Sequence, residues 1–271
     1  MDTLTETPGF LLEAMRRSKP LVQCITNYVA MNVAANVMLA VGASPAMVHD
    51  GQEAAEFAGF AGAVTINIGT LSPDWLEGMC LAAGAAVKAG TPWVLDPVAH
   101  FATGFRRHAV AQLLELKPAI IRGNASEIIA LAGGRSAGQG VDSRDPVEQA
   151  ESAAIAIARE SGAVVAVTGP VDFVTDSVRA VRIEGGSPLM PQVTALGCTL
   201  TCLVGAFAAT RTAAPFDATV AALAMFAVAG ERAGRGAAGP GSFGWRFLDA
   251  LAELDPASLD GEARISPAKL G

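Results

Sequence analysis

The chain has 271 residues, a formal net charge of −7 at pH 7 and a hydrophobic fraction of 51%, which together exclude an intrinsically disordered protein. No basic stretch interleaves with aromatic residues, so we expect no nucleic-acid partner. Residues 20–49 and 185–210 lack Asp, Glu, Lys and Arg and are long enough to span a bilayer, but amide, Thr and Pro residues interrupt them, so we expect no membrane partner.

Short apolar runs alternate with helix-like stretches over the first two thirds of the chain. Strands are predicted at residues 45–48, 63–68, 93–95, 119–121 and 164–167. Helices are predicted at residues 28–41, 73–89, 105–116, 125–131 and 146–160. This βαβα order predicts an α/β fold with a doubly wound, mostly parallel sheet and helices on both faces.

The pattern changes after residue 168. Residues 171–175 and 178–183 predict a hairpin, and therefore antiparallel strands at one edge of the sheet. The remaining predicted helices are at residues 197–210, 216–233 and 241–253. Because no repeat or linker divides the sequence, we expect a single domain over residues 1–271, with flexible tails at residues 1–8 and 255–271.

Polar residues follow the apolar runs at the points where the predicted strands end. Asn67, Asp96, Arg122 and Thr168 each stand directly after or at the end of such a run. In open parallel sheets, ligands bind beyond the carboxyl ends of the strands, often at a helix N-terminus. We therefore expect the functional site to lie in these loops.

Two carboxylates occur in these loops and have the chemistry of magnesium ligands. Asp96 precedes Pro97 at a strand end, and Glu127 lies in the first turn of a predicted helix. Two hard oxygen ligands, direct or through water, suit Mg²⁺ that carries nucleotide phosphates. The alternatives are that Asp96 caps a turn and that Glu127 forms a capping box with Asn124.

An arginine directly after an apolar strand requires a partner. The fork of Arg122 fits a phosphate, and the hydroxyl group of Thr168 is suited to the same ligand. The alternatives are that Arg122 forms a structural ion pair with one of the carboxylates and that Thr168 is a turn residue. Both interpretations remain open from the residues alone.

The segment Gly197-Cys198 opens a predicted helix whose free N–H groups and dipole favour an anion. A thiol in the first turn has its pKa lowered by the dipole, which would let Cys198 accept a proton or act as a nucleophile. The alternative is a small buried residue that packs the helix. The four cysteines lack CxxC spacing and residues 1–10 lack a signal-peptide pattern, so we expect reduced thiols in a cytoplasm.

Three amides lie in or near the first predicted helix, which otherwise looks buried. Asn32 and Asn36 share one face, and Asn27 precedes the helix. Buried amides need partners, so these residues either line a pocket for a polar or heteroaromatic ligand or cap neighbouring loops. Met47 is of a residue type that more often belongs to the core.

Several motifs, taken together and in this order, resemble those of the hydroxyethylthiazole kinase family of thiamine biosynthesis. They are CITN at 24–27, GASPAM at 42–47, INIGTL at 66–71, VLDPV at 94–98, RGNASEI at 122–128, VTG at 167–169 and GC at 197–198. The resemblance covers about residues 9–252. It implies a ribokinase-like fold, a homotrimer with active sites between subunits, and Mg²⁺-dependent transfer of the ATP γ-phosphoryl group to the hydroxyethyl side chain of a thiazole.

The same resemblance implies roles for individual residues. Cys198 takes the position at which other ribokinase-like enzymes carry a catalytic aspartate. The substrate-binding residues implied by the resemblance are Asn27, Met47, Gly69, Ala195 and Gly197. The residues implied for ATP are Asp96, Arg122, Asn124 and Thr168, and those implied for the metal are Asp96 and Glu127.

Two segments depart from the family pattern. Ala195-Leu196 stands where the family usually has Gly-Thr, and Ala99 and Phe101 stand where it usually has glycines. Both departures fall in loops near the expected phosphate and substrate region, where added Cβ atoms restrict the backbone. They motivate two alternatives to the kinase of the thiazole: a catalytically impaired homologue that binds ligand, and a kinase for a related alcohol such as a hydroxymethylpyrimidine.

Overall fold

The computed structural model describes residues 4–134, 145–210 and 214–270. Within them the helices are α1 (Pro8–Ser18), α2 (Met31–Val41), α3 (Ala54–Ala58), α4 (Pro73–Ala89), α5 (Gly104–Glu115), α6 (Ala125–Leu131), α7 (Val147–Ser161), α8 (Leu196–Thr210), α9 (Pro215–Gly236), α10 (Pro240–Glu253) and α11 (Pro256–Glu262). The strands are β1 (Leu21–Ile25), β2 (Ser44–Ala46), β3 (Ala63–Asn67), β4 (Trp93–Asp96), β5 (Ile120–Asn124), β6 (Val164–Thr168), β7 (Val171–Thr175), β8 (Ala180–Glu184) and β9 (Arg264–Pro267).

The strands form one sheet in the order β2-β1-β3-β4-β5-β6-β7-β8-β9. The pairs from β2 through β6 are parallel, and those from β6 through β9 are antiparallel. The predicted doubly wound, mostly parallel α/β fold and the antiparallel hairpin at one end are therefore confirmed. The second hairpin strand begins at Ala180 rather than Val178, because Asp176 accepts hydrogen bonds from the amides of Val178 and Arg179 and holds a wider turn.

Helices cover both faces of the sheet, and each face has its own apolar core. One core contains side chains of α1, α2, α8, α9 and α10, and the other those of α4, α5, α6 and α7. Successive strand residues alternate between them: Ile120 belongs to the first and Ile121 to the second. This period of two, with both sides apolar, is why the strands appear in the sequence as continuous Val and Ile runs.

Strand β1 and helices α1 and α3 were not among the predicted elements. The polar Gln23 interrupts the apolar run of β1, yet its side chain is fully buried. Its amide nitrogen donates to the carbonyl oxygens of Val48 and Ala54, at 2.9 and 3.1 Å, so the buried polar group is partly satisfied by distant backbone. Partners 25 and 31 residues away carry no local signal in the sequence.

Residues 255–270, predicted as a flexible tail, contain regular secondary structure. Residues 255–270 contain α11 and β9, and β9 pairs with β8. Asp260 accepts hydrogen bonds from the hydroxyl of Thr7 and the amide of Gly9, and a Cβ on Gly9 would lie only 2.2 Å from the Pro256 carbonyl oxygen. Residues 5–8 and 255–270 thus bind each other through polar contacts that are not typical of free tails, and their flexibility stays a prediction. Residues 1–3 and 271 lie outside the described residues.

Leu259 tests whether the C-terminal segment is packed on the core or flexible in solution. Its side chain on α11 is fully buried against the core that contains α1 and α9. We expect Leu259→Ala to lower the free energy of unfolding by about 2–3 kcal/mol, the usual cost of such a cavity. Urea unfolding measures the change, and Leu270→Ala, at a position that is 37% exposed, is the matched control with an expected change near zero. A loss below about 0.5 kcal/mol for Leu259→Ala would show that the segment is detached in solution.

None of the helices in residues 4–134, 145–210 and 214–270 is both long and apolar enough to cross a membrane. The two uncharged windows lie instead in the folded α/β structure. The first contains β1, α2 and β2, and the second contains the whole of α8 and the loop before it. Burial between the sheet and its neighbouring helices accounts for the lack of charge at the core positions of both windows.

Candidate active site

The carboxyl ends of the parallel strands bring the predicted polar residues to one edge of the sheet. Asn67 lies in register with Asp96 across β3 and β4, and Asn124 with Thr168 across β5 and β6. Strand β1 leads into Asn27, next to the end of β3. Strand β1 pairs with β2 on one side and β3 on the other, and the chain passes from β1 to β2 and then across to β3. In sheets of this topology, ligands bind where the strand order reverses in this way, so we expect the crevice between β1 and β3 at this edge.

Asp96 is the most connected buried carboxylate of this edge. Its Oδ2 accepts hydrogen bonds from Asn67 Nδ2 at 2.6 Å and from Thr201 Oγ1 at 2.8 Å, and it lies 3.6 Å from Arg122 Nη1. Its Oδ1 is buried and has no hydrogen-bond partner within the described residues. Burial raises the pKa of Asp96, although Arg122 and the two hydrogen bonds oppose the shift. The site therefore holds one carboxylate oxygen ready for a ligand.

Arg122 connects this carboxylate to the next strand and to α8. Its Nη2 donates to Thr168 Oγ1 at 2.6 Å, while its Nε is buried and has no acceptor in the described part of the chain. The predicted structural ion pair with Asp96 is thus present, and a donor for a further anion remains. A Cβ on Gly197 would lie 3.2 Å from Nη1, so glycine at this position allows the helix start to lie against the guanidinium group.

Helix α8 presents its N-terminus to the same edge. Its first residue is Leu196, so Cys198 lies in the first turn as predicted, and the first amide with a helical acceptor is that of Thr199, which donates to Ala195. The expectation of a lowered thiol pKa is wrong. Burial, with the nearby charge of Asp96, raises the pKa of Cys198 to about 11 and outweighs the helix dipole.

Asn27 links Cys198 to the crevice between β1 and β3. Its Nδ2 donates to Cys198 Sγ at 3.3 Å and to Asn67 Oδ1 at 2.8 Å, and its Oδ1 accepts from the amide of Ala30. Gly69 packs on this side chain so closely that a Cβ would lie 2.6 Å from Asn27 Nδ2. The predicted pocket residues Asn27 and Gly69 therefore lie in contact, and the side-chain amide of Asn27 connects them to the thiol of Cys198.

Both carboxylate oxygens of Glu127 accept hydrogen bonds from backbone amides. Its Oε2 accepts from the amide of Asn124 at 2.8 Å, and its Oε1 accepts from the amide of Ala99 at 2.9 Å. The amide of Glu127 donates to Asn124 Oδ1, which completes the capping box and confirms that alternative. Burial and the charge of Asp96 raise the pKa of Glu127 to about 7. Its role toward a metal remains a prediction.

The other predicted amides lie away from the crevice. Asn32 and Asn36 are exposed on α2 and bond to each other, with Asn36 Nδ2 donating to the Asn32 carbonyl oxygen at 2.8 Å. Among the described residues they bond to each other, and their exposure differs from the expectation that this helix is otherwise buried. Met47 follows β2 and is half-buried, packed against the core that contains α2 and α8.

The comparison with known sequences decides the family. The sequence model of the hydroxyethylthiazole kinase family matches residues 12–257. The chain belongs to this family. It is 74% identical over 265 residues to hydroxyethylthiazole kinase from Rhizobium rhizogenes, covering 98% of this chain and 99% of that protein. It is 64% identical over 260 residues to the enzyme of the same name from Cereibacter sphaeroides, covering 96% and 98%.

Solved structures agree with this membership. The hydroxyethylthiazole kinase protein of Pyrococcus horikoshii OT3 superposes with a TM-score of 0.88 at 37% identity, covering 97% of this chain and 99% of that one. The pyridoxal kinase of Staphylococcus aureus in complex with ADP superposes with a TM-score of 0.59 at 16% identity, covering 78% and 87%. The second likeness concerns the fold alone, and the two together place this kinase in the ribokinase-like fold.

Two residues of the site, Thr201 and Arg106, were missed from the sequence, and Asn67 was placed in the site loops without a role. Asn67 accepts from the amide of Gly69 and from Asn27 and donates to Asp96, so it joins the pocket to the carboxylate. Thr201 lies on α8 one turn after Cys198 and donates to Asp96. Arg106 on α5 donates to three backbone carbonyls of the loops after β3 and β4. Only Asn67 carried a signal, since it ends a predicted strand beside Asp96.

The departures from the family pattern coincide with unusual backbone. Ala99 and Ala195 have positive φ values, 47° and 66°, in the left-handed region that favours glycine. The chain therefore adopts at both positions a conformation suited to the family's glycine, with an alanine side chain added. His100, which follows Ala99, is buried, and its ring lies in edge contact with that of Phe101.

Replacement of Ala195 by glycine measures the strain at the start of α8. The left-handed conformation costs an alanine about 1–2 kcal/mol, and a glycine avoids this strain. Glycine also raises the conformational entropy of the unfolded chain, which offsets part of the gain in stability. We expect Ala195→Gly to raise the free energy of unfolding by about 0.5–1 kcal/mol. Denaturant unfolding checks this, and Ala195→Val, which cannot relax, is expected to lower stability. A stability loss for the glycine variant would mean that the alanine Cβ makes a packing contact worth more than the strain.

Proposed function

We propose that the chain transfers the γ-phosphoryl group of ATP to the primary alcohol of 4-methyl-5-(2-hydroxyethyl)thiazole, with Mg²⁺. The hydroxyethylthiazole kinases to which it is 64–74% identical support the substrate. The geometric observation that carries the proposal is the meeting of Cys198, Arg122 and the free oxygen of Asp96 at the N-terminus of α8. Phosphoryl transfer mainly needs positioning and neutralised charge, which this arrangement supplies.

Arg122 and Thr168 bind the nucleotide phosphates in this proposal. Arg122 is held on two sides, by Thr168 and by Asp96, so its guanidinium is oriented before a ligand arrives. Its unpartnered Nε and the free amides of the α8 N-terminus are donors for phosphate oxygens. Asn124 lies beside Thr168 in the sheet register and is assigned to the same end of the site.

The residues present fit a magnesium ion bound with the nucleotide. Within the described residues no group of three or more His, Cys, Asp or Glu side chains forms a metal cage. Mg²⁺ in kinases usually takes one or two carboxylates and completes its shell with water and phosphate, and the orphaned Oδ1 of Asp96 suits that role. Glu127, whose two oxygens hold backbone amides, would act through water. When bound, the ion neutralises phosphate charge.

Cys198 faces the alcohol in this proposal and helps to remove its proton. With a pKa of about 11 the group is a thiol at neutral pH, and only about one molecule in ten thousand carries the thiolate. That small fraction is a strong base, and a phosphoryl transfer with a loose transition state needs little help at the nucleophile. The start of α8 at Gly197 stabilises the negative charge that develops beside it.

The thiazole ring binds in the crevice between β1 and β3. Asn27 and Gly69, which are in contact, form one wall, and Met47 after β2 and the α8 start at Ala195 and Gly197 are assigned to the pocket by the resemblance to the family. The pocket wall carries amide and apolar groups and few charges, which suits a small, nearly neutral heterocycle. The product, an alcohol phosphate of the thiazole, would serve thiazole salvage for thiamine phosphate synthesis. Four free thiols suit a reducing cytoplasm, where we place the enzyme.

A homotrimer with active sites between subunits is part of the same proposal. Three large apolar side chains are exposed: Tyr28 is 69%, Val29 58% and Leu39 64% exposed. Tyr28 and Val29 directly follow Asn27, and Leu39 lies on α2, so a second copy packed on them would cover the open side of the pocket. Light scattering of the purified protein measures the mass. A monomer at micromolar concentration would contradict this part of the proposal.

A coupled assay of ADP release with the thiazole alcohol tests the activity. Turnover that requires both ATP and Mg²⁺ is the expected result, and hydroxymethylpyrimidine and pyridoxal are the comparison alcohols. A higher kcat/KM for one of them would replace the proposed substrate. Binding of the thiazole in calorimetry without any turnover, by a protein of the expected mass, would favour the catalytically impaired homologue instead.

A further inference from the structure

Arg106 occupies a position that the stability of its own helix does not explain. It lies in the first turn of α5, where Thr103 caps its amide, and that turn contains no acidic residue. A cation at this end of a helix is unfavourable because it opposes the helix dipole. Burial also lowers the pKa of the guanidinium group from its ordinary value. The contacts made by the side chain must therefore account for its placement.

Those contacts are three backbone carbonyls from two separate loops. Arg106 Nη1 donates to the oxygens of Ile68 and Val98, both at 2.8 Å, and Nη2 donates to the oxygen of Gly69 at 2.6 Å. Ile68 and Gly69 follow β3, and Val98 follows β4. One planar fork thus fixes the distance between the two loops, a geometry that a guanidinium group provides and an ammonium group does not.

Two successive contacts connect the loop that Arg106 holds after β3 to the thiol of Cys198. The peptide of Gly69 is held on both sides, with its oxygen on Arg106 and its amide on Asn67 Oδ1 at 2.9 Å. Gly69 in turn packs on Asn27, whose amide donates to Cys198. Val98 is two residues from Asp96 on the other loop. Movement of either loop would displace the pocket wall relative to the thiol.

We propose that Arg106 is a positioning residue for the alcohol substrate: it fixes the loops after β3 and β4 so that the pocket wall faces Cys198. It touches neither the nucleotide end at Arg122 and Thr168 nor the thiol itself. The proposal rests on the proposed function for its kinetic consequence. Its structural consequence, a fixed loop at residues 68–70, holds whichever alcohol the enzyme uses.

Arg106→Ala tests the proposal against Arg107→Ala. Arg107 is the matched control because it is the next residue, is exposed, and donates to a single carbonyl, that of Phe101. We expect Arg106→Ala to raise KM for the alcohol about tenfold or more and leave KM for ATP within about twofold, since small displacements of a bound substrate are costly. Arg106→Lys should recover part of the loss, and Arg107→Ala should match the wild type.

A purely structural role would give a different result. It would lower the midpoint of unfolding and the active fraction, and therefore kcat, with both KM values unchanged. That outcome, equal changes in both KM values, or an alcohol KM within twofold of the wild type would overturn the proposal. If Arg106→Ala fails to fold, the same kinetic comparison is made on Arg106→Lys and Arg106→Gln.

Amide hydrogen exchange gives a readout that needs no turnover. The amide of Gly69 is protected by Asn67, so we expect exchange in residues 66–72 to quicken by about tenfold in Arg106→Ala and to stay unchanged in Arg107→Ala. Unchanged exchange in Arg106→Ala would overturn the proposal. Absence of wild-type turnover with the thiazole alcohol would instead overturn the proposed function, and the exchange result would still decide the role of Arg106.

Discussion

Cys198→Ala is expected to lower kcat by about two to three orders of magnitude, the usual contribution of a positioned general base. Its effect on nucleotide affinity should be small, because the nucleotide contacts assigned to Arg122 and Thr168 do not include the thiol. Steady-state kinetics and calorimetry with a non-hydrolysable nucleotide measure the two effects separately. The matched control is Cys202→Ala on the same helix, since Cys202 is buried one turn further on and contacts Thr65 rather than the crevice.

The pH dependence distinguishes a thiolate base from a thiol that only packs. Since burial raises the pKa of Cys198 to about 11, the thiolate fraction grows about tenfold for each pH unit between 7 and 10. We expect log kcat of the wild type to rise over this range with a slope near one, and that of Cys198→Ala to be flat. A flat wild-type profile with a large loss in the alanine variant would assign the thiol to positioning. Unchanged turnover in Cys198→Ala would show that the thiol of Cys198 only packs the helix.

Asp96→Asn is the second change with a large expected effect. Asparagine keeps an oxygen that accepts hydrogen bonds from Asn67 and Thr201. It removes the negative charge and replaces the unpartnered Oδ1 by an amide nitrogen. A carboxylate that holds a phosphate-bound cation supplies several kcal/mol of charge stabilisation, so we expect kcat to fall by about two orders of magnitude or more. The matched control is Thr201→Val, which removes one hydrogen bond and leaves the charge, with a loss of about fivefold.

The stability of the same variant separates a functional carboxylate from a structural ion pair. Because burial raises the pKa of Asp96, the folded protein favours the neutral group, and its ionisation lowers stability as the pH rises above the range where the unfolded carboxyl titrates. We therefore expect the ligand-free Asp96→Asn protein to be at least as stable as the wild type at pH 8 in urea unfolding. Marked destabilisation at pH 8 would show that the pair with Arg122 serves mainly to hold the fold.

The sequence was sufficient to predict strands β2 to β8, helices α2 and α4 to α10, and the edge that carries the site. Asp96 and Thr168 could be found because each stands at the end of an apolar run, and the parallel strands bring such ends together. Helix α4 has its predicted bounds because Ser72 caps it and Pro73 starts it, which are local signals. These predictions depend on residues adjacent in the chain.

The errors concern properties that distant residues determine. The pKa of Cys198 was predicted from the helix dipole alone, whereas burial and Asp96, which lies on another element, set its direction. Thr201 meets Asp96 across 105 residues, and no spacing in the sequence indicates that contact. The C-terminal segment has the composition of a tail, yet Leu259 and Asp260 bind it to α1.

Strand β9 follows every other strand of the sheet along the chain and completes it beside β8. Until residues 264–267 are in place, β8 presents unpaired backbone groups along residues Val181 to Glu184, which is a template for pairing with another chain. During synthesis β8 is therefore the exposed edge until residues 264–267 pair with it, and the edge is then the short β9, in which Pro267 has no amide donor. Nascent or truncated forms that lack β9 are thus the species most prone to intermolecular aggregation.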